Sequence, residues 1–334
     1  MKKTIIAVLA LMLAISFTLA ACSADSLGDY KKAAEKTDQI IRGRTEGEFS
    51  LTMDFDTEGM TEEEIKNLGY FRKIEGSFSA VSDNEAGKGI YRNYLNLGGI
   101  GFDFDMFING AEVFAKLPVI GKYMRLDSLQ QAALDTQKDG DAGLVSGETL
   151  EGINGIWLGM LRKDDIFKGK NIVLTTPDGE VKTTEYTIRL NDEQIKALAA
   201  GSIGLLLKDN TLKENYEKLA AKNVEPLKDK TVEELLLDMS KKLDIYRIEN
   251  FAYTAYVDID GYIVNEKLEF SIKADNAGED AVTGVVYKLD IKNWDINKEQ
   301  KFDFPVLTEE NTLDPNRMDE NMPSVFEDLF KNKD

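Results

Sequence analysis

The 334-residue chain contains no histidine and only one cysteine, Cys22. Without histidine, neither a Ser-His-Asp nor a Cys-His catalytic arrangement can form, and no imidazole can ligate zinc, copper or haem iron. Chemistry on carboxylates and lysines remains open, as does an oxygen-ligated metal such as calcium. Because no motif points to catalysis, we expect a protein that is not an enzyme and that uses no cofactor and no metal.

Positive charge is also scarce, with 41 basic residues against 60 acidic ones and a formal net charge of −19. Nucleic acid and anionic lipid headgroups both attract clustered lysine and arginine. This charge balance therefore excludes nucleic acid as a partner. An acidic excess mainly keeps a protein surface soluble.

Long apolar runs are absent except at the N-terminus, where residues 5–20 follow Lys2 and Lys3. The run is closed by Leu19, Ala20, Ala21 and Cys22. A positive segment, an apolar segment and small residues, in that order, are typical of a signal peptide. The tetrapeptide Leu-Ala-Ala-Cys resembles the lipobox of bacterial lipoproteins.

The lipobox resemblance implies that residues 1–21 are a removed signal peptide and that Cys22 is lipidated on its sulfur. The mature chain would then be held by its acyl chains on the extracytoplasmic side of the cell membrane. No thiol would remain to form a disulfide. The alternative is an uncleaved N-terminal anchor with an incidental cysteine.

Two pairs of carboxylates stand two residues apart, Asp103 with Asp105 and Asp258 with Asp260. Residues i and i+2 of a strand share a face, so either pair could share a cation or divide acid and base roles. The simpler interpretation places the first pair on the solvent side of a strand and the second in a hairpin turn. A loop from Asp135 resembles a calcium loop but lacks two of the required acidic ligands. We therefore predict no metal site.

Alternating apolar and polar residues predict strands in the segments "FSLTMDF" and "IGFDFDMFI", at residues 49–55 and 100–108. Turn residues suited to tight hairpins stand at Asn109-Gly110, at Pro177-Asp178-Gly179 and at Asp260-Gly261. Since hairpins join antiparallel neighbours, they predict one antiparallel sheet that recurs along the chain.

Helices are predicted at 29–43, from Thr61, around 149–163, at 191–208 and from Thr231. Thr61 with Glu64, and Thr231 with Glu234, have the spacing of a capping box. No proline- or glycine-rich linker divides the chain. We therefore expect a tether at 22–28, a single domain at 29–305 and an acidic tail at 306–334.

The order of elements along the chain resembles that of the LolA/LppX-like superfamily of lipoproteins. These elements are the lipobox, a helix, long strands with "MFINGAEVFAKLPVIGKYMRLD", further helices and a closing strand at Phe304-Pro305. The similarity is strongest to their uncharacterised Gram-positive branch and covers roughly residues 29–305 as an arrangement of elements. It implies an α+β fold, a strongly curved antiparallel half-barrel with helices packed on its concave face. Members of that superfamily hold acylated molecules between sheet and helices.

Two hypotheses about function follow from the resemblance. In the first, the domain binds an acyl lipid or other apolar ligand in a cavity lined by Phe49, Met53, Phe102, Phe104 and Met106. In the second, the same side chains fill a core, and the protein is a cell-envelope interaction or sensor lipoprotein with a protein partner. A transporter's solute-binding lipoprotein would need two α/β lobes, and a carboxylate hydrolase would need two acids facing one cleft.

Overall fold

The structure is a computed structural model, and it describes residues 25–116, 121–125, 145–220, 231–274 and 282–313. In these residues it contains one antiparallel sheet of eleven strands and six α-helices. The strands are β1 (Arg42–Phe55), β2 (Lys73–Asp83), β3 (Lys88–Leu97), β4 (Ile100–Asn109), β5 (Glu112–Lys116), β6 (Tyr123–Arg125), β7 (Ile166–Thr176), β8 (Gly179–Arg189), β9 (Tyr246–Asp258), β10 (Ile263–Ala274) and β11 (Val282–Trp294). The helices are α1 (Ser26–Asp38), α2 (Glu62–Gly69), α3 (Gly147–Met160), α4 (Asp192–Leu206), α5 (Asn210–Ala220) and α6 (Val232–Lys242).

The sheet consists of two meanders that meet at its centre. The strand order is β6-β5-β4-β3-β2-β1-β11-β10-β9-β8-β7, so the first strand of the chain pairs with the last. We call β1–β6 the first half and β7–β11 the second half. The sheet is open, with β6 and β7 at its edges, and β7 approaches β11 although three strands lie between them. Four strand spacings in a flat sheet would separate them by about 19 Å, so the second half is curved.

The predicted hairpins are confirmed as β4–β5, β7–β8 and β9–β10. Gly110 and Gly261 lie in two of the turns with φ angles of 61° and 85°, which side-chain-bearing residues rarely adopt. Asp258 accepts a hydrogen bond from the Tyr262 backbone N–H at 2.8 Å, which ties the β9–β10 turn together.

The predicted helix starts are confirmed at both capping boxes and at Asn191, the first residue of the helix predicted at 191–208. Thr61 and Thr231 each accept a hydrogen bond from the backbone N–H of a glutamate three residues later, whose side chain in turn accepts from the threonine N–H. Asn191 caps α4 in the same reciprocal way with Gln194. Each such cap stabilises a helix start by about 1 kcal/mol.

The first helix differs from the prediction at both ends. It begins at Ser26 rather than at residue 29, and it ends at Asp38 rather than near Gly43. Arg42 and Gly43 belong to β1, where they pair with Asp83 and Ser82 of β2. Sheet pairing across residues distant in sequence therefore overrides the local helical pattern.

Three helices cover one face of the second half of the sheet. Side chains of α1, α3 and α4 pack there on β7–β10, around a core that includes Tyr30, Ala33, Ile188, Ile195 and Ala255. The helices α4, α5 and α6 pack on each other around Ile203, Leu212, Val232 and Leu236. By contrast, α2 has no buried residue. We call the face that carries these helices the helix-bearing face.

The chain after β11 packs on the opposite face of the first half. Phe302, Phe304 and Leu307 contact a buried cluster formed by Ile90, Phe107 and Phe114. Leu313 is buried and its neighbour Thr312 forms a parallel bridge with Tyr123 of β6. The packed chain therefore extends past residue 305, where the sequence predicted the start of the acidic tail. Residues 314–334 lie outside the described residues.

Candidate functional site

A row of directly paired residues shows which side chains share the helix-bearing face. It crosses seven strands in the order Tyr253, Leu268, Leu289, Phe49, Gly76, Leu95 and Phe102. Directly paired residues of an antiparallel sheet point to the same face. Tyr253 packs against Tyr30 of α1 and Trp157 of α3. The whole row, including both phenylalanines, therefore lies on the helix-bearing face.

All five residues that the sequence predicted to line a ligand cavity lie on this face of the first half. Strand alternation puts Met53 with Phe49, and Phe104 and Met106 with Phe102. With their apolar neighbours they form a surface over β1–β4, which we call the apolar surface: Phe49, Leu51, Met53, Phe78, Leu95, Phe102, Phe104 and Met106. Seven of these side chains are half-buried, and Phe104 is 38% exposed.

The apolar surface is broad and shallow. Phe49 and Phe102 stand three strands apart, a distance of about 14 Å at the usual strand spacing. Between them the Phe49 ring lies over Gly76, and the Phe78 ring likewise lies over Gly47. A side chain on either glycine would overlap the ring. Rings that lie over glycines in this way leave room above the sheet. The presence of a ligand in this room stays a prediction.

The predicted lining left out three members of the apolar surface, namely Leu51, which shares the alternation of Phe49 and Met53, and Phe78 and Leu95 on other strands. Phe78 lies on β2 and pairs with Gly47, and Leu95 lies on β3 and pairs with Phe102. The sequence signal for Phe78 was the spacing of Ile74, Gly76 and Phe78 in "IEGSFSAV". These three residues share one face of the strand, and the glycine stands where a further apolar side chain would continue the alternation. Reading that glycine as a place for a neighbouring ring would have identified the surface.

The residues predicted for processing and lipidation are Leu19, Ala20, Ala21 and Cys22. All four lie outside the described residues, as does the loop from Asp135. Among the residues that the structure describes, no helix has the length and apolar character needed to cross a membrane.

A chain of polar groups ties α1 and α3 to the sheet beside the apolar surface. The Trp157 Nε1–H donates to the Tyr30 hydroxyl at 3.1 Å, and the Tyr253 hydroxyl donates to the Glu266 carboxylate at 2.8 Å. The two tyrosine hydroxyls are themselves hydrogen-bonded to each other. Because its proton goes to Glu266, the Tyr253 hydroxyl accepts from Tyr30. We call these four residues the Tyr30 network.

Burial dominates the ionisation of the Tyr30 network. It raises the pKa of Tyr30 to about 12 and raises the pKa of Tyr253 well above its ordinary value of 10.0. Burial also raises the pKa of Glu266, against the opposing effect of the hydrogen bond from Tyr253, and the nearby Asp38 carboxylate adds to the rise. The sequence signal for the Tyr30 network was Glu266. This acid alternates in step with the apolar residues Val264, Leu268 and Phe270 along one strand.

The carboxylate pair Asp103 and Asp105 lies on the face opposite to the apolar surface. Both side chains line a groove there together with Tyr94 and Arg92. In the parts of the chain that the structure describes, no three acidic side chains are grouped so that they could hold a metal ion.

Comparison with known proteins gives no family for this chain. No family model matches it, and no curated protein matches it. Among solved structures it is similar to the β-barrel-like protein of a domain of unknown function, DUF1849, from Brucella abortus. That alignment covers 76% of this chain and 98% of the other at 9% identity, with a TM-score of 0.18. A likeness of that size carries no argument about function, so the site is argued from its own geometry.

Proposed function

We propose that this protein is a lipoprotein, anchored through Cys22 on the extracytoplasmic side of the cell membrane, that binds an acyl lipid or another apolar ligand on the apolar surface. The observation that carries the proposal is the apolar surface itself. Its phenylalanines, leucines and methionines are half-buried on a face whose other half lies under helices. An open, curved sheet of this kind is compatible with a ligand-binding protein.

The chemistry of the apolar surface supports an acyl chain as ligand. Removing apolar area from water is favourable by about 25 cal/mol per Å², and the surplus over the costs of association appears as affinity. Met53 and Met106 lie at the borders of the apolar surface, and methionine side chains adapt their shape to irregular apolar ligands. Charged side chains are absent from the eight residues that define the surface, so it offers a charged headgroup no partner. The headgroup would therefore remain at the rim or in solvent.

The order of elements gives further support. The chain has the initial helix, the antiparallel meander and the helices inserted before the closing strands that the LolA/LppX-like resemblance implies. Lipoproteins of that superfamily carry acylated molecules between sheet and helices. We extend that role to this chain as part of the proposal.

Native mass spectrometry of residues 23–334, purified from a bacterial host, tests ligand binding. We expect an additional mass in the range of a phospholipid or glycolipid, and the same species in a lipid extract of the sample. The double variant Phe102→Ser/Phe104→Ser should lose most of the adduct. A matched control is Phe167→Ser, which removes an equally large ring, 52% exposed, from the opposite face of β7. A bare protein mass that stays bare after mixing with lipids would contradict the proposal.

Mass spectrometry of the full-length chain tests the anchor separately. We expect a mature N-terminal peptide that begins at Cys22 and carries acyl chains, and we expect the protein in the membrane fraction. Cys22→Ser should abolish both the modification and the membrane association, because the acyl chains would be attached at Cys22. Stable attachment to a membrane needs two or more such chains. An unmodified Cys22 in an otherwise intact N-terminus would refute the anchor while leaving ligand binding open.

A cell-envelope interaction or sensor protein is the second candidate. The observation in its favour is the exposure of large apolar side chains on α6, where Leu237 and Met239 are 47% and 57% exposed. A protein partner would cover such side chains. This candidate becomes the better one when the mass spectrum shows no lipid and a partner protein protects α6 from hydrogen exchange.

A further inference from the structure

The groove beside Asp103 and Asp105, on the face opposite to the apolar surface, is part of a longer groove. It comprises two adjoining cavities of about 700 and 440 Å³, which share Glu48, Ser77, Tyr94 and Asp290. Its floor extends across seven strands, from Thr254 on β9 to Asp103 on β4. Seven strands at the usual spacing span about 29 Å, which suits a chain-like ligand. We call it the polar groove.

A partly exposed aromatic ring, that of Tyr94, lies on the floor of the polar groove. A Cβ atom on Gly101 would lie only 2.6 Å from the Tyr94 hydroxyl oxygen and 2.9 Å from its Cε2. The Tyr94 ring therefore occupies the space above Gly101 on the neighbouring strand. The side chain is nevertheless 41% exposed. The hydroxyl edge of the ring therefore lies against the sheet, and the exposed part of the ring is free to stack on a ligand.

On the strands of the groove farther from this ring, β1, β10 and β11, six charged side chains have ion-pair partners on adjacent strands. Three ion pairs join directly opposite residues, with N···O distances of 3.0 Å for Lys267–Asp290, 3.4 Å for Lys288–Glu269 and 3.5 Å for Lys292–Glu46. Asp290 also accepts a hydrogen bond from Asn265. Paired side chains of this kind keep further acceptor and donor positions free for a ligand.

The floor between the ion pairs is low and carries hydroxyl groups. Ser50, Ser77, Ser79 and Thr254 line the groove beside Ala252. Short side chains let a flat ligand approach the sheet closely, and their hydroxyls both donate and accept hydrogen bonds. Seven acidic and four basic side chains line the groove, so a strongly anionic ligand is disfavoured there.

We propose that the polar groove binds a saccharide chain, with one sugar ring stacked on Tyr94. A sugar presents an apolar C–H face to an aromatic ring and hydroxyl groups around its edge. Tyr94 matches the first feature, and the carboxylates, ammonium groups and serine hydroxyls of the groove match the second. Since the polar groove and the apolar surface lie on opposite faces of the sheet, this proposal stands independently of the proposed lipid binding.

Saturation-transfer NMR on the full-length protein in detergent tests the proposal. The probes are the neutral hexasaccharides of β-1,4-linked glucose, β-1,4-linked N-acetylglucosamine and α-1,4-linked glucose, each at millimolar concentration. We expect at least one to bind, with a Kd that added salt does not change. Tyr94→Ser should raise that Kd about tenfold, the size of one aromatic contact. Tyr94→Phe should leave it nearly unchanged because the ring remains.

Two further variants separate stacking from general damage to the fold. Gly101→Val should tilt the Tyr94 ring off the floor and weaken binding without removing the ring. Phe167→Ser changes β7, outside the residues that line the groove, and should have no effect on saccharide binding. Thermal unfolding of each variant establishes that it folds.

Three outcomes would overturn the proposal. The first is that none of the hexasaccharides binds. The second is binding that Tyr94→Ser does not weaken. The third is that an oligolysine peptide binds instead and is released by added salt, which would identify the groove as a site for a cationic peptide.

Discussion

The two halves of the sheet bury their apolar residues on opposite faces. In the second half, β7–β10 lie under α1, α3 and α4. In the first half, the buried cluster is on the other face, where Phe302 and Phe304 cover Ile90, Phe107 and Phe114. The helix-bearing face of the first half is left half-buried. One continuous sheet thus carries a closed core and an open apolar surface on the same face.

The connections between strands explain the difference. Helix α3 belongs to the connection that leads into β7, and helices α4 to α6 belong to the connection from β8 to β9. These helices therefore lie near the strands of the second half that their connections join. The turns β2–β3, β3–β4 and β4–β5 are too short to carry a helix. The connection β1–β2 does carry α2, but that helix is polar and has no buried residue. An open apolar surface therefore arises where hairpins follow one another.

Replacing one isoleucine in each half should sharpen this comparison most strongly. Ile188 on β8 is fully buried, while Ile108 on β4 lies on the same face and is half-buried. Ile188→Ala should lower the free energy of unfolding by about 2–5 kcal/mol. Ile108→Ala should lower it by about 1 kcal/mol, because the site already contacts solvent. Urea unfolding measures both, and equal losses would show that the first half is as closed as the second.

The Tyr30 network should contribute a smaller part of the closure of the second half. Tyr30→Phe removes the acceptor of the Trp157 indole N–H and the group bonded to Tyr253. Leaving such groups unsatisfied should lower the free energy of unfolding by about 1–3 kcal/mol. The matched control is Tyr91→Phe, on the same face of the first half, which should change it by at most about 0.5 kcal/mol. A loss from Tyr91→Phe as large as that from Tyr30→Phe would refute the assignment.

Glu266 should make the stability of the second half depend on pH. Because burial raises its pKa above the ordinary 4.5, the folded protein holds this proton more tightly than the unfolded chain. Stability contributed in this way is present at low pH and falls as the pH rises from 4.5 through the raised pKa.

Glu266→Gln removes this dependence and keeps an acceptor for the Tyr253 hydroxyl. We expect the variant to melt at a higher temperature than the natural protein at about pH 8 and at nearly the same temperature at about pH 4. Thermal unfolding at both pH values measures the effect. A variant that melts lower at pH 8 would mean that the charged hydrogen bond stabilises the folded state and that the buried charge is tolerated.

Much of the fold was predictable because its signals are local. The hairpin turns at Asn109-Gly110 and Asp260-Gly261 and the capping boxes at Thr61 and Thr231 depend on residues close in sequence. The alternation in β4 likewise placed Phe102, Phe104 and Met106 on one face. The end of α1 was missed because Arg42 and Gly43 are held in β1 by strands distant in sequence.

The relation between the site and its surroundings was not predictable from the sequence. The alternation of β4 says that Phe104 and Asp105 point to opposite faces, but not which face the helices cover. That choice depends on where the long connections cross the sheet. The polar groove depends in the same way on the register that brings Lys267 opposite Asp290 and Tyr94 beside Gly101.

The seam between β1 and β11 sets the order in which this protein can fold. Thr45 on β1 bonds to Asn293 on β11, 248 residues later in the chain. During synthesis the first half can therefore form its meander, but β1 remains an unpaired edge until nearly the whole chain has emerged. Unpaired edges invite association with other chains. Closing a seam between such distant residues is also slow, so the half-formed sheet is the state in which this protein most needs protection from aggregation.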